Sequence, residues 1–175
     1  RIFRTSDYSL LAEDRDYGDA FHAGDFDGNG RLVTTSKDGF IRLYGSDFKL
    51  IMKKKAPDGF RPGGVSFSPD GSSIAVTCFD DTVLNGKFDI LSGKDLSPQY
   101  SPDVRGFAKG RFGPVCWSPD GKFLYAGKGS WMPYLIRRWS EGGKGPYKDL
   151  GEAEHYLMGI LSLRNGGIVF ASAHP

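Results

Sequence analysis

The fold is decided by residues 116–126, CWSPDGKFLYA, in which two apolar runs flank the turn Ser118-Pro119-Asp120-Gly121. Proline fixes the backbone φ angle at the first corner of such a turn, and glycine accepts a positive φ at no steric cost. Apolar strands on both sides of a Pro-Asp-Gly turn are typical of a β-hairpin. We therefore predict two antiparallel strands here, with Asp120 and Gly121 as structural turn residues.

Three further segments repeat this order of apolar run, turn and apolar run. Their turns read DGNG at 27–30, SPDG at 68–71 and RNGG at 164–167. The second strands of the four segments lie 42, 50 and 45 residues apart, a period that indicates repeated supersecondary units. The longest interval fits a loop insertion at 102–113, and Asp70 and Gly71 are predicted to be turn residues like their counterparts.

Each repeat continues with a third apolar strand and a more polar fourth strand. The third strands are predicted at 40–44, 87–91 and 135–139, and the fourth strands at 49–52, 95–100 and 147–150. The outer strand of such a unit is exposed to water on more sides, so its lower apolarity is expected. Asp38 precedes the first of the third strands and is a further predicted turn residue.

With these motifs the sequence resembles the WD40-repeat β-propeller family. The two SPDG turns directly follow Phe67 and Trp117, and residues 36–44, SKDGFIRLY, resemble the family's second-to-third-strand segment. Tyr44 stands in that segment's Trp position, whereas Trp139 supplies the Trp itself. No Gly-His pair opens a repeat and no Trp-Asp pair closes one, which departs from the family pattern. The resemblance implies an all-β, WD40-type propeller segment.

The two ends of the chain carry complementary halves of one more unit. Residues 1–4 and 9–13 read as a third and a fourth strand, whereas the chain stops after a first and a second strand near 171. We predict one domain over 1–175 with sixteen strands, or about four blade equivalents of four antiparallel strands. The repeats lie near 22–52, 64–100, 114–150 and 159–175, plus 1–13.

Three ways of completing a ring of blades stay open. The chain closes on itself, pairs with a copy as a homodimer, or belongs to a longer chain that completes the propeller. An open arc exposes unpaired strand edges, which proteins normally cover. A half-propeller completed by a copy or by further sequence is therefore favoured over a closed ring of four blades.

The composition argues against several classes of protein. The net charge is +2 with mixed signs, too small for an electrostatic nucleic-acid binder. No run approaches the roughly 18 apolar residues of a membrane span, and no signal peptide is visible, so we expect a cytoplasmic protein without a membrane partner. Cys78 and Cys116 lie in apolar strand patterns, as buried thiols do. We expect no cofactor, and no Cys/His cluster predicts a zinc site.

A finer resemblance concerns the context of the chain. Residues 88–96, 116–127 and 137–143 are similar to WD40 regions found beside caspase-like peptidase domains in bacterial proteins. This implies an alternative function, as a regulatory or sensor module of a larger protease whose catalytic domain lies elsewhere. The chain opens at Arg1 in mid-pattern, which is typical of a fragment.

One turn offers a candidate metal site. Asp25, Asp27 and Asn29 place oxygen ligands at alternate positions, as the opening of a calcium loop does. The twelfth position of such a loop requires an acid, but Ser36 stands there. A plain hairpin turn, aligned with the two SPDG turns, is the favoured interpretation.

The leading prediction is a non-catalytic protein-interaction scaffold, with the partner on the top face or at the blade-connecting loops. Residues 131–134, WMPY, place bulky apolar side chains in a hairpin loop, and such side chains are enriched at binding hot spots. The insertion at 102–113 interleaves basic and aromatic side chains, so single-stranded nucleic acid is a weaker alternative there. The predicted contact residues are Trp131, Met132, Tyr134, Arg105, Arg111 and Phe112.

An enzyme with its active site in the propeller channel is the third alternative. Such enzymes bring several acids or histidines to one end of the channel, but the inner-strand positions here, such as Gly24, Val65, Val115 and Ile160, are small or apolar. The histidines at 22, 155 and 174 form no motif. We therefore predict no catalytic residue in this segment.

Overall fold

The computed structural model describes residues 1–80, 82, 85–107, 112–128 and 134–173. Within them the chain is all-β, with sixteen strands and one short 3-10 turn at Glu141–Gly143. No helix in these ranges is long and apolar enough to cross a membrane. The strands of the first half are β1 (Ile2–Phe3), β2 (Leu10–Ala12), β3 (Phe21–Phe26), β4 (Leu32–Ser36), β5 (Phe40–Tyr44), β6 (Leu50–Lys55), β7 (Arg61–Phe67) and β8 (Ser73–Phe79). Those of the second half are β9 (Gly86–Ser92), β10 (Pro98–Tyr100), β11 (Phe112–Trp117), β12 (Leu124–Lys128), β13 (Tyr134–Trp139), β14 (Tyr147–Ala153), β15 (Leu157–Ser162) and β16 (Ile168–Ser172).

The strands form three complete sheets and two half-sheets. Each complete sheet holds four consecutive strands in antiparallel order: β3 to β6, β7 to β10, and β11 to β14. The half-sheets are β1–β2 and β15–β16. The predictions of an all-β fold and of units of four antiparallel strands are thus confirmed. The fourth strands differ from prediction only at their ends, since β6 and β14 run longer and β10 begins later.

The SPDG turns are closed by their own side chains. The Ser118 hydroxyl donates to the Asp120 carboxylate at 2.6 Å and accepts from the Phe123 backbone N–H at 2.8 Å. Ser68, Asp70 and Ser73 repeat this arrangement. Gly121 and Gly71 adopt φ of +70° and +69°, a region that L side chains rarely enter. The four predicted turn residues therefore have the expected role.

In the candidate calcium turn, an arginine guanidinium pairs with one of the aspartates. Asp27 accepts from the backbone N–H groups of Asn29 and Arg31 and forms an ion pair of 2.7 Å with the Arg31 guanidinium. Asp25 accepts from the Phe67 backbone N–H of the next sheet at 2.8 Å. The two carboxylates thus make separate protein contacts, which supports the hairpin interpretation. No group of three or more His, Cys, Asp or Glu side chains within the described ranges could hold a metal ion.

The core consists of three interfaces between neighbouring sheets. One cluster joins the β3–β6 sheet to β7–β10, a second joins β7–β10 to β11–β14, and a third joins β11–β14 to β15–β16. The first strands β3, β7, β11 and β15 pack side by side at the centre of this series. Hydrogen bonds cross the first of these interfaces. Arg31 donates to the carbonyls of Gly71 and Gly93 at 2.7 and 2.5 Å, and Thr35 donates to that of Gly63 at 2.6 Å.

A buried ion pair fixes the turn between β4 and β5. The Arg42 guanidinium, fully buried, donates to the Asp38 carboxylate at 2.6 Å and lies over the ring of Tyr17. Asp38 also accepts from the hydroxyl of Ser36 and from the backbone N–H of Phe40. Although burial opposes ionisation, these donors hold the pKa of Asp38 well below its usual range. Asp38 is therefore a structural turn residue, as predicted.

Both cysteines are buried, and their thiols should be inert in the folded chain. Burial raises the pKa of both Cys78 and Cys116 to about 12. At about pH 8, near the pKa of a free thiol, almost no thiolate forms. Dithiobis-nitrobenzoate should then label neither residue in the native chain and both in urea. Rapid labelling of a native thiol would show that the sheet covering it opens readily.

Candidate functional site

One concave site is formed by the four first strands. It is a pocket of about 410 Å³ lined by residues near the starts of β3, β11 and β15, by the middle of β7 and by the end of β8. We call it the inner-strand pocket. Its described lining residues are His22, Ala23, Gly64, Val65, Phe79, Phe112, Gly113, Pro114, Val115, Tyr156, Leu157 and Met158.

Close packing of the first strands shapes the pocket. A Cβ atom added at Gly64 would lie 2.7 Å from the carbonyl oxygen of Gly113, so glycine is required where these two strands approach. Val65 and Val115 are buried at the base, as expected for small or apolar inner positions. The backbone thus forms a narrow floor, and larger side chains stand at the rim.

The rim is aromatic and apolar. The His22 ring lies 5.9 Å from the Phe79 ring, and Tyr156 and Met158 are both exposed. No carboxylate belongs to the described lining, and His22 and Tyr156 are its two titratable side chains. Such a lining offers apolar contact and a few hydrogen bonds.

The pocket opens on the end of the sheets that carries the connecting loops. The strand register pairs Phe21 with Ser36, Arg61 with Phe79, and Phe112 with Lys128. The second strands therefore end where the first strands begin, and the segments that join successive sheets arrive at the same end. We call this end the loop face. Loops positioned by a rigid scaffold are frequent binding elements.

The predicted contact residues differ in where the structure places them. Arg105 is strongly exposed, and its guanidinium pairs with Asp103 at 2.6 Å. Tyr134 begins β13 at this face and is half-buried. Trp131, Met132 and Arg111 lie outside the described residues, as does the histidine at 174, and the three contact assignments stay predictions.

Phe112 is not a surface contact residue, so that prediction was wrong. Only 3% of it is exposed, and its ring lies 5.1 Å from Phe107 and 6.1 Å from Phe88. Phe107 and Phe112 are both buried in the interface between the β7–β10 and β11–β14 sheets. An aromatic side chain in a charged loop thus anchors the loop to the core.

Sequence reasoning missed the rim residues Tyr156 and Met158. The sequence predicts that the repeat near 159–175 opens with a first strand, and in the other repeats residues of the first strands line the pocket. That alignment was the available signal. Which end of the first strands forms a pocket depends on the packing of neighbouring sheets.

Comparisons with known proteins address the fold. No protein-family model matches the chain, and no curated protein matches it. Among solved structures, the computationally designed Ika4 protein is similar with a TM-score of 0.65 at 11% identity, over 95% of this chain and 99% of that chain. A protein of unknown function from Bacteroides caccae is similar with a TM-score of 0.63 at 13% identity, over 89% of this chain and 54% of that one. In all, 611 solved chains match, so the architecture is widespread and does not by itself assign a function.

Proposed function

We propose that the chain is a WD40-type propeller segment that acts as a non-catalytic scaffold and binds a protein partner at the loop face. The observation that carries this proposal is the inner-strand pocket, an apolar concavity with an aromatic and methionine rim and no described carboxylate. Exposed aromatic and methionine side chains around a pocket are typical of protein-binding hot spots.

Four features support the propeller assignment. The repeat period, the SPDG hairpins and the packing of sheets through their first strands are those of bladed folds. The fourth feature concerns the two residues at the family's Trp position. Tyr44 and Trp139 are both buried there, and each donates a hydrogen bond to the segment that enters its own sheet. Tyr44 reaches the Asp14 carboxylate at 2.6 Å, and the Trp139 indole reaches the Asp103 carbonyl at 2.8 Å.

The test uses peptides selected on the chain from a phage-displayed random library. Their affinity is then measured by fluorescence anisotropy for the native chain, Tyr156→Ala and Met158→Ala. We expect each substitution to weaken binding by about tenfold, the effect of losing a hot-spot side chain. Both side chains are exposed, so the melting temperature should not change.

Leu150→Ala is the matched control. Leu150 is exposed to a similar degree as Tyr156, 41% against 44%, but lies on the outer strand β14, away from the pocket. Peptide binding that survives both rim substitutions, or that falls equally in the control, would contradict the proposed binding face.

A further inference from the structure

The three complete sheets differ at one position of their third strands. Arg42 on β5, Asp89 on β9 and Arg137 on β13 occupy the same place in the strand register, because each lies opposite the equivalent residue of its second strand. Those second-strand partners are Thr34, Val76 and Ala126. Two sheets thus carry a cation at this position, and the β7–β10 sheet carries a carboxylate.

In the two sheets with an arginine, the guanidinium lies over an aromatic ring of the segment that precedes the first strand. The guanidinium carbon of Arg42 is 4.1 Å from the Tyr17 ring centroid, and that of Arg137 is 4.8 Å from the Phe107 ring centroid. Each arginine also donates a hydrogen bond to a backbone carbonyl of the same segment. Both sheets therefore fill the space beside the third strand with a ring of their own chain.

The β7–β10 sheet has no such ring beside Asp89. The aromatic residue of its preceding segment, Phe60, is half-buried and lies under the ammonium group of Lys87 at 4.4 Å. Where the neighbouring sheets have Tyr44 and Trp139, this sheet has the smaller Leu91. The space that the other two sheets fill is open here.

This space forms a groove of about 370 Å³ between the β7–β10 sheet and the outer strands of the β3–β6 sheet. We call it the intersheet groove. No aromatic side chain belongs to its described lining, and it shares no described lining residue with the inner-strand pocket. Its described lining residues are Ile41, Lys54, Lys55, Ala56, Pro57, Val76, Cys78, Asp89, Leu91 and Pro98.

The charges of the groove favour a cationic ligand. Asp89 is half-buried and accepts a hydrogen bond of 2.6 Å from the Ser101 hydroxyl, which does not neutralise its charge. The two lysines of the lining are engaged elsewhere. The Lys54 ammonium donates to a backbone carbonyl at 2.9 Å, and Lys55 forms an ion pair of 3.0 Å with Asp58. Among the described residues, no cation forms an ion pair with Asp89.

We propose that the intersheet groove binds a small aromatic cation of the arylalkylamine class. The ring of the ligand takes the place that Tyr17 and Phe107 have in the other two sheets, and its ammonium group pairs with Asp89. The volume and the lining are those of a small-molecule site, in which apolar contact supplies most of the burial and a few polar groups fix the orientation. A charge-assisted hydrogen bond to a carboxylate is among the stronger polar contacts. This site does not depend on the proposed partner binding at the loop face.

The experiment titrates tryptamine into the isotope-labelled 175-residue chain and follows the backbone amides by two-dimensional NMR. We expect a Kd of about 1 mM, which is typical of a ligand of this size. The shifts should centre on Val76 and Asp89. Indole-3-propionate has the same ring and an acidic side chain in place of the amine, and it should bind at least about tenfold more weakly because it meets a like charge.

Two variants locate the site. Asp89→Asn should weaken tryptamine binding by about tenfold and remove the preference over the acid, as expected for the loss of a charged partner. Glu152→Gln is the matched control, since it removes one exposed negative charge on the distant strand β14 and should leave binding unchanged. Leu91→Trp supplies the residue that Trp139 provides in the next sheet, and it should close the groove and abolish binding.

The rim variant Tyr156→Ala should bind tryptamine like the native chain, which separates the intersheet groove from the inner-strand pocket. The inference is overturned if tryptamine shifts no amide near Asp89, if the amine and the acid bind equally, or if a folded Leu91→Trp still binds. Should Leu91→Trp not fold, Asp89→Asn and its control decide. A chain that binds the selected peptides but not tryptamine would overturn this inference alone.

Discussion

Replacing Asp38 by alanine should lower the free energy of unfolding by about 3 kcal/mol, because it leaves the fully buried Arg42 guanidinium without its counter-ion. The carboxylate accepts two of the guanidinium N–H groups and the backbone N–H of Phe40. Loss of these bonds loosens the turn between β4 and β5 as well. Urea denaturation of the native chain and the variant at neutral pH measures the difference.

Two comparisons separate the contribution of the ion pair to stability from that of the turn. Asp120→Ala removes an exposed turn carboxylate of the same residue type and should lower the stability much less than Asp38→Ala does. Asp38→Ala combined with Arg42→Met removes both charges and should recover much of the loss, since an apolar pair of similar volume often replaces a buried ion pair. A double variant as unstable as Asp38→Ala would show that the carboxylate acts through the turn alone.

The same pair predicts the direction of the pH dependence. The pKa of Asp38 lies below its ordinary value in the folded chain, so its stabilisation is complete above that ordinary value. It is lost as the pH falls through the lower, folded-state value. The stability difference between the native chain and Asp38→Ala should therefore be constant near neutral pH and shrink in acid. A difference that grows in acid would contradict the assignment.

Trp139→Ala should be the most destabilising of the core substitutions, at about 3–5 kcal/mol, the usual cost of truncating a buried tryptophan. The indole is fully buried between Phe88 and Phe107, with ring centroids 5.2 and 5.7 Å away. It also donates to the Asp103 carbonyl, so its loss removes one of the hydrogen bonds that hold the segment before β11 to the β11–β14 sheet.

Thermal and urea denaturation measure this effect, and Trp139→Phe isolates the hydrogen bond from the volume. Tyr8→Ala, which removes a largely exposed ring, is the control and should leave the stability within about 0.5 kcal/mol of the native value. A loss below about 1 kcal/mol for Trp139→Ala would show that the cavity collapses and that the interface is not tightly packed.

The local structure could be predicted from the sequence because its signals are local. The SPDG turns, the period of the repeat and the alternation of apolar residues determine hairpins whatever surrounds them. Sixteen strands and the two half-sheets followed from them. Asp38 and Asp120 could be assigned to turns because their contacts within the turns lie only a few residues away, whereas the Gly18 N–H that also donates to Asp38 could not be predicted.

Contacts between sheets could not be predicted in the same way. Nothing near Arg31 indicates that its guanidinium reaches Gly71 and Gly93, some 40 and 60 residues away. Phe112 stands among charged residues and looked exposed, yet the neighbouring sheet covers it. The pocket is lined by four strands that are distant in sequence. The resemblance to caspase-associated WD40 regions stays a prediction, because it concerns a catalytic domain that lies elsewhere.

The three interfaces described above join only sheets that are neighbours in sequence. In such a series the stability of each unit depends on itself and on the units beside it. The β7–β10 sheet has a neighbour on both sides, whereas the half-sheets at the two ends have one. Fraying should therefore start at both ends and reach the middle last, and refolding should spread outward from the middle. The strands that open most readily should thus be β1, β2, β15 and β16.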